Sequence, residues 1–249
     1  ITLPITKHNY LVTRVEDIMP AMKEAFHLAS SGRPGPVLVD ITKDAQQASI
    51  DWDWDPRPVT MPGYRPAMPV PEAAFAKALE LIRSAERPVI LAGQGVIQSG
   101  AMKEVIEFAE RLNVPIAVTL LGLGGVPASH RLNMGMMGMH GEAWVNRAIQ
   151  EADLLMAFGM RFDDRVTGNP ITYAPNARKL HVDIDPSEIN KNVMTDAAIV
   201  GDLRATLRDL LEQLTPADHG PWVTYIDSMR GDAAVRDIQK LPDSGHLYA

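Results

Sequence analysis

The feature that most constrains this chain is a series of short, nearly continuous apolar runs separated by amphipathic stretches. The runs are PVLVDIT (36–42), PVILAG (88–93), PIAVTLL (115–121), DLLMAFG (153–159), KLHVDID (179–185) and AAIVGD (197–202). They are short for helices and too apolar for strands with one wet face. They read as strands buried on both faces, which means parallel strands. Between them, VEDIMPAMKEAFHLASSG, PEAAFAKALELIRSAE, AMKEVIEFAERLN and LRATLRDLLEQL carry apolar residues every three or four positions. The first ends on a helix-stopping Gly32, and the second opens with Pro71 where a first helical turn accepts proline. Such alternation predicts βαβ units in an α/β fold, with a doubly wound six-stranded parallel sheet over about 70–216.

One segment breaks the pattern. Residues 51–71 hold six prolines, each fixing φ and lacking an amide donor, so 51–70 is expected to be an extended linker. Residues 1–50 show one helix and one clear strand, too little to bury a core. They read as a partial α/β domain, the C-terminal tail of one. Residues 71–216 form the central domain. Residues 217–249 read as a turn, a helix and an irregular end, a linker toward a further domain. The chain does not begin with Met, and we expect it to start partway through a longer polypeptide. A net charge of −7 over 249 residues argues against nucleic acid and anionic membrane as partners. The absence of cysteine excludes disulfides, thiolate metal sites and a cysteine nucleophile, and fits a cytoplasmic protein. No apolar stretch approaches the ~20 residues that span a bilayer.

In parallel α/β sheets ligands bind beyond the carboxyl ends of the strands. There this chain places glycine or acid again and again. Gly93, Gln94 and Gly95 follow the 88–93 run, but their spacing departs from the dinucleotide fingerprint, and a plain glycine turn explains them as well. Thr119 and Leu120 end the next run. NMGMMGMHGEAW (133–144) follows, with Gly135, Gly138 and Gly141 at every third position and four methionines between. It is either a Met-rich core loop or a lining for a large planar ligand, with His140 as a polar tip. FGMRFDDRVTG (158–168) sets Arg161, Asp163, Asp164 and Arg165 just past a buried strand. That is either a salt-bridged loop or a site. In an extended turn Arg161, Asp163 and Arg165 would share one side, with Phe162 and Asp164 on the other. Asp183 and Asp202 close the last two runs. No metal-ligand spacing is present. The repetition as a whole suggests an extended, nucleotide-type ligand across the sheet edge.

The stretches ITKHNYLV, SGRPGPVLVDITKD, GMHG, FGMRFDDRVTG, HVDIDPSEINKN and GDL stand in the order and spacing of one family. The chain resembles the large catalytic subunit of acetohydroxyacid (acetolactate) synthases from residue 1 to about 215. That resemblance implies the end of a thiamine pyrimidine-binding domain followed by a central FAD-binding domain. It implies FAD contacts from Arg33, Gly93, Gln94, Gly95, Thr119, Leu120, Met137, Gly138, Met139, His140, Gly159, Met160, Arg161, Phe162 and Asp163. Asp183, Ile184, Asp202 and Leu203 would lie at the adenosine end. Lys7, Lys43, Asp164 and Arg165 would border the substrate channel.

The resemblance also implies thiamine diphosphate and Mg²⁺, held by parts of the enzyme other than this chain. The activity would be condensation of pyruvate with a second 2-ketoacid, pyruvate or 2-ketobutyrate, with loss of CO₂, in branched-chain amino acid biosynthesis. The cofactor carries that chemistry, and no catalytic or metal-binding residue of the family falls within this sequence. The isolated chain would be inactive. The full enzyme would be a cytoplasmic homodimer or homotetramer with a small regulatory subunit. Other readings are the central domain of a related thiamine enzyme, of the glyoxylate carboligase or pyruvate oxidase type, and a non-catalytic nucleotide-binding module.

Overall fold

The computed structural model describes residues 1–51, 56–66 and 69–231. Internal contacts divide them into two compact units, one within Ile1–Met68 and one within Pro69–Ala249. In the first, β1 (His8–Val12) pairs in parallel with β2 (Val37–Ile41), His8 opposite Val37 and Val12 opposite Ile41. α1 (Ile18–Ser30) lies between them in sequence and buries Ala21, Ala25 and Leu28, one stripe at helical spacing. Pro20 falls in its first turn, where amide donors have no intrahelical partner. α2 (Lys43–Gln47) follows. β1 is a strand that hydrophobic runs did not reveal. HNYLV is half polar, and only Val12 is buried.

The second unit is a six-stranded, fully parallel sheet in the order β5-β4-β3-β6-β7-β8. The strands are β3 (Pro88–Ala92), β4 (Ile116–Val118), β5 (Asn133–Met136), β6 (Leu154–Phe158), β7 (Arg178–Asp183) and β8 (Ala197–Val200). The chain enters at the centre, winds outward through β4 and β5, returns to the other side of β3 as β6, and winds outward again. The doubly wound α/β fold is therefore the one expected, but its strands are not all those expected. The run 36–42 belongs to the first unit, and the sixth strand of the sheet is Asn133–Met136. As an edge strand β5 pairs only with β4, across a register shift at Ile116/Ala117, and it needs no continuous apolar sequence.

Continuous apolar runs split into two cores because successive side chains leave opposite faces. Ile90, Ala92, Leu154, Met156 and Phe158 enter one core. Its helices are α3 (Glu72–Ser84), the short α4 (Gln94–Gln98), α5 (Met102–Leu112) and α8 (Leu203–Gln213). Val89, Leu91, Leu155 and Ala157 enter the other, under α6 (Ala143–Glu151) and α9 (Gly220–Ser228). Only α7 (Asp164–Thr167), a single turn, separates β6 from β7.

Two boundary expectations change. Trp222 and Ile226 are buried in the second core, and Trp222 Nε1 donates to Pro88 O at 3.1 Å. Residues 217–231 are thus a wall of this unit rather than a linker, and 232–249 lie outside the described residues. Within the expected linker, 52–55 and 67–68 also lie outside them. Tyr64, from the described part, is tied to α1: its hydroxyl stands 2.9 Å from Ser31 Oγ and 3.0 Å from Lys7 Nζ.

Candidate functional site

The site grows from the switch in winding direction. β3 and β6 are neighbours, and the chain leaves them toward opposite ends of the sheet. Their carboxyl-end turns must share the crevice that opens there. They meet main chain to main chain. Gly93 N donates to Phe158 O at 2.9 Å, and Gly95 N to Gly159 O at 3.0 Å. A Cβ on Gly95 would lie 2.6 Å from Gly159 Cα, and Gly159 itself has φ +59°. Only glycine permits this approach. These strands each end one residue earlier than their apolar runs suggest, because the glycine that closes each run already belongs to the turn.

The turn after β6 is not the extended segment that alternation assumed. Phe162 has φ +50° and is 2 % exposed. Asp163 precedes the single turn of α7, and Thr167 Oγ1 donates to Asp163 O at 3.1 Å. Arg161 and Asp163 do share the outer side, paired at 3.0 Å. Asp164 and Arg165 are both exposed. Arg165 joins this turn to the loop after β5: Met139 N donates to Arg165 O at 2.8 Å, and Arg165 Nη1 to Met139 Sδ at 3.6 Å. Gly138, φ +97°, allows this, since a Cβ there would lie 2.5 Å from Arg165 O.

Around the crevice the expected residues divide by exposure. Gln94, Leu120, Met139, His140, Arg161 and Asp202 present side chains to solvent. Met137, Met160, Phe162 and Leu203 are buried, so at a ligand they contribute main chain only. Gly93, Gly95, Gly138 and Gly159 do the same by nature. Thr119 Oγ1 accepts from Gly122 N at 3.0 Å and shapes the loop after β4. Asp183 Oδ1 accepts from Asp185 N at 2.9 Å, beside half-buried Ile184. Asp202 Oδ1 caps α8 through Ala205 N at 2.8 Å. Leu121 is also exposed beside Leu120; the run that contains them looked like buried strand. A recess of about 310 Å³ opens past β4, lined by Val118, Leu123, Gly124, Met134 and Gly135, with Arg230 on its wall.

The remaining expected residues belong to the first unit. Arg33 and Lys43 are exposed. Lys7 Nζ donates to Leu28 O at 2.6 Å, Ser31 O at 2.5 Å and the Tyr64 hydroxyl at 3.0 Å. Its three donors are committed, two to the carboxyl end of α1 and one to Tyr64, so the ammonium must leave those partners to meet a ligand. Burial raises the Tyr64 phenol, but the hydrogen bonds with Lys7 and Ser31 and the Lys7 charge outweigh it and hold the group below its usual value. Among the described residues no group of three or more His, Asp or Glu is placed to hold a metal ion, and no helix is long and apolar enough to cross a membrane.

One residue of this region was assigned no role by its motif. His181, on β7, is wholly buried, and its Nε2 donates to Met160 O at 2.7 Å. Burial lowers its pKa, against the hydrogen bond to Met160 and the charges of Asp183 and Glu188. The alternation in KLHVDID was the available signal. Leu180 and Val182 supply one face, while Lys179, His181 and Asp183 form a polar stripe on the other.

A family model described as the central domain of thiamine pyrophosphate enzymes matches residues 75–210. The chain is 47% identical over 235 residues to the acetolactate synthase large subunit of Corynebacterium glutamicum, covering 92% of this chain and 37% of that protein. It is 44% identical over 236 residues to an acetolactate synthase large subunit of Mycobacterium tuberculosis, covering 92% and 38%. With a probable acetolactate synthase large subunit of Methanocaldococcus jannaschii it shares 48% over 214 residues, covering 85% and 36%. The chain thus spans a little over a third of the length of these curated relatives.

Proposed function

This chain belongs to the thiamine pyrophosphate enzyme family, whose central domain its residues 75–210 match, with acetolactate synthase large subunits as homologues, and on that premise we propose that its carboxyl-edge crevice holds FAD. The observation that carries the reading is the contact of the Gly93–Gly95 and Gly159 turns at the switch point. It leaves main chain, not side chains, facing a ligand that crosses there. The surroundings fit such a ligand. Arg161 is an exposed cation beside the crossing, suited to a diphosphate. Leu120, Leu121 and Met139 are 67 %, 60 % and 59 % exposed, apolar surface suited to a flat ring system. Asp183 and Asp202 stand at the ends of β7 and β8, where acids accept hydrogen bonds from ribose hydroxyls.

In this reading Gly93–Gly95 and Gly159–Asp163 take the middle of the dinucleotide. Thr119, Leu120 and residues 137–140 border the flavin. Asp183, Ile184, Asp202 and Leu203 flank the adenosine end. The first unit, which carries Arg33, is the tail of a pyrimidine-binding domain. Asp164, Arg165, Lys43 and Lys7 belong to the substrate channel. In the whole enzyme thiamine diphosphate, held with Mg²⁺ elsewhere, supplies the carbon–carbon chemistry. The reaction is condensation of pyruvate with pyruvate or 2-ketobutyrate with loss of CO₂, a transferase step of branched-chain amino acid biosynthesis. The enzyme is cytoplasmic, a homodimer or homotetramer, and takes a small regulatory subunit. The 249 residues alone are inactive on pyruvate.

The test is flavin retention. The purified chain, incubated with FAD and passed through a desalting column, is expected to keep flavin absorbance. The folded Gly95→Val variant is expected to lose it. A folded wild-type chain that elutes colourless overturns the FAD reading.

A further inference from the structure

The crevice turn has no proper helix behind it. Between β6 and β7 the chain makes only the four residues of α7, so 159–177 must be held down by something other than a packed helical face. The polar stripe on β7 does this. Lys179 Nζ donates to Ala177 O at 2.8 Å and Ala174 O at 3.0 Å. Asp183, the third member, instead takes Asp185 N and shapes the turn after β7. Between them, His181 Nε2 donates to Met160 O at 2.7 Å, inside the crevice turn itself. The imidazole also packs edge-on against Phe162, centroids 5.1 Å apart, and Phe162 packs against Tyr173 at 6.2 Å. One non-glycine residue of this turn, Phe162, has positive φ, a conformation that persists in such a residue only where surrounding contacts impose it.

Because a carbonyl can only accept, the bond to Met160 places the proton on Nε2. Nδ1 is then a buried acceptor with no partner among the described residues. The charged groups near the ring are Asp183, whose Oδ2 lies 3.8 Å from Nε2, and Glu188 of the segment after β7. Tyr173, raised by burial and wholly enclosed, faces the same cluster from the 169–177 loop.

We propose that His181 is the positioning residue of this crevice: through the Met160 carbonyl it holds Gly159–Asp163 in the shape that presents main chain and Arg161 to the dinucleotide. The proposal rests on the FAD reading for the ligand, but not for the turn. A second proton would sit on Nδ1, which has no acceptor among the described residues, so the ring takes it up more readily when the turn is open, and acid favours the open turn.

The experiment compares three variants of the full 249-residue chain. In His181→Gln the amide nitrogen reaches the place of Nε2. In His181→Asn it reaches only the place of Nδ1, and His181→Met has no donor. Flavin affinity is read by fluorescence titration, and the turn by hydrogen exchange of peptides spanning 159–163. His181→Gln is expected to bind FAD within about threefold of wild type, and the other two at least about tenfold more weakly, the worth of one buried hydrogen bond. Exchange in the turn is expected to quicken in those two alone; in wild type, once the slower intrinsic amide exchange in acid is divided out, the protection of the turn is expected to fall on going from about pH 7.5 to about pH 5.5, ahead of β6 and β7. Equal weakening in all three variants, or wild-type exchange and affinity in His181→Met, overturns the proposal. If His181→Met does not fold, the Gln and Asn pair decides it. If wild type binds no flavin, the FAD reading fails, and the exchange pattern alone supports or overturns the role of His181.

Discussion

At the scale of single residues, the turns at the switch point give sharp expectations. A Cβ at position 95 meets the Cα of Gly159 at 2.6 Å, and both sides are main chain. Gly95→Val should therefore cost about 1–3 kcal/mol through overpacking, measured by urea denaturation. Gly100 has φ +66° and nothing within 4 Å of its missing Cβ. Gly100→Ala should cost only the left-handed strain of about 1 kcal/mol. Arg165 is exposed, and its guanidinium meets the Met139 sulfur. Arg165→Ala should change stability by at most ~1 kcal/mol. In the full-length enzyme it should weaken substrate or inhibitor binding. Unchanged kinetics and inhibitor affinity would refute its place in a channel. His181 supplies a pH dependence. Its folded pKa lies below the usual 6.5, so below about pH 6.5 the unfolded chain takes up the proton first and stability falls as pH decreases toward the folded value. Glu104, which desolvation alone would raise, is held low by Arg204 and Arg208. Its contribution is lost only further down, below the ordinary glutamate range. Urea midpoints of wild type and His181→Gln followed from about pH 7.5 down to about pH 3 separate the two, because the variant should lose the upper slope and keep the acid one.

At the scale of elements, α9 is the clearest departure from the sequence reading. A helix past residue 216 was legible, but its destination was not. GPWVTYIDS has no strong apolar stripe. What binds it is one tryptophan and one isoleucine entering the second core. Trp222→Ala should cost about 3–5 kcal/mol, the usual range for a buried tryptophan; a loss under ~1 kcal/mol would restore the linker reading. β5 escaped notice for a related reason. Asn133 Nδ2 donates to Pro127 O at 3.1 Å, and its Oδ1 accepts from Gly135 N at 2.8 Å. A strand with neighbours on one side is held by such bonds, not by apolar content. The central strands were read correctly because burial on both faces leaves almost no other composition.

At the scale of the whole molecule, the two units differ in what they can do alone. The sheet of the second has apolar layers on both faces. Among the described residues the first has two strands and two α-helices within Ile1–Met68, and a two-stranded sheet is marginal in water. The chain from Pro69 onward should unfold in one cooperative transition by circular dichroism, whereas residues 1–68 alone should show no such transition. A cooperative transition in the shorter piece would refute this. By itself the sequence determined the parallel sheet and the edge at which its strand-end glycines and acids gather. Side-chain hydrophobicity and backbone permissiveness are local properties, and those two features follow from them. Which strand is sixth, which helix closes the second core and which histidine holds the crevice turn were decided only in the tertiary structure. Each depends on a partner far along the chain: α9 on Pro88, His181 on Met160, and Gly95 on Gly159.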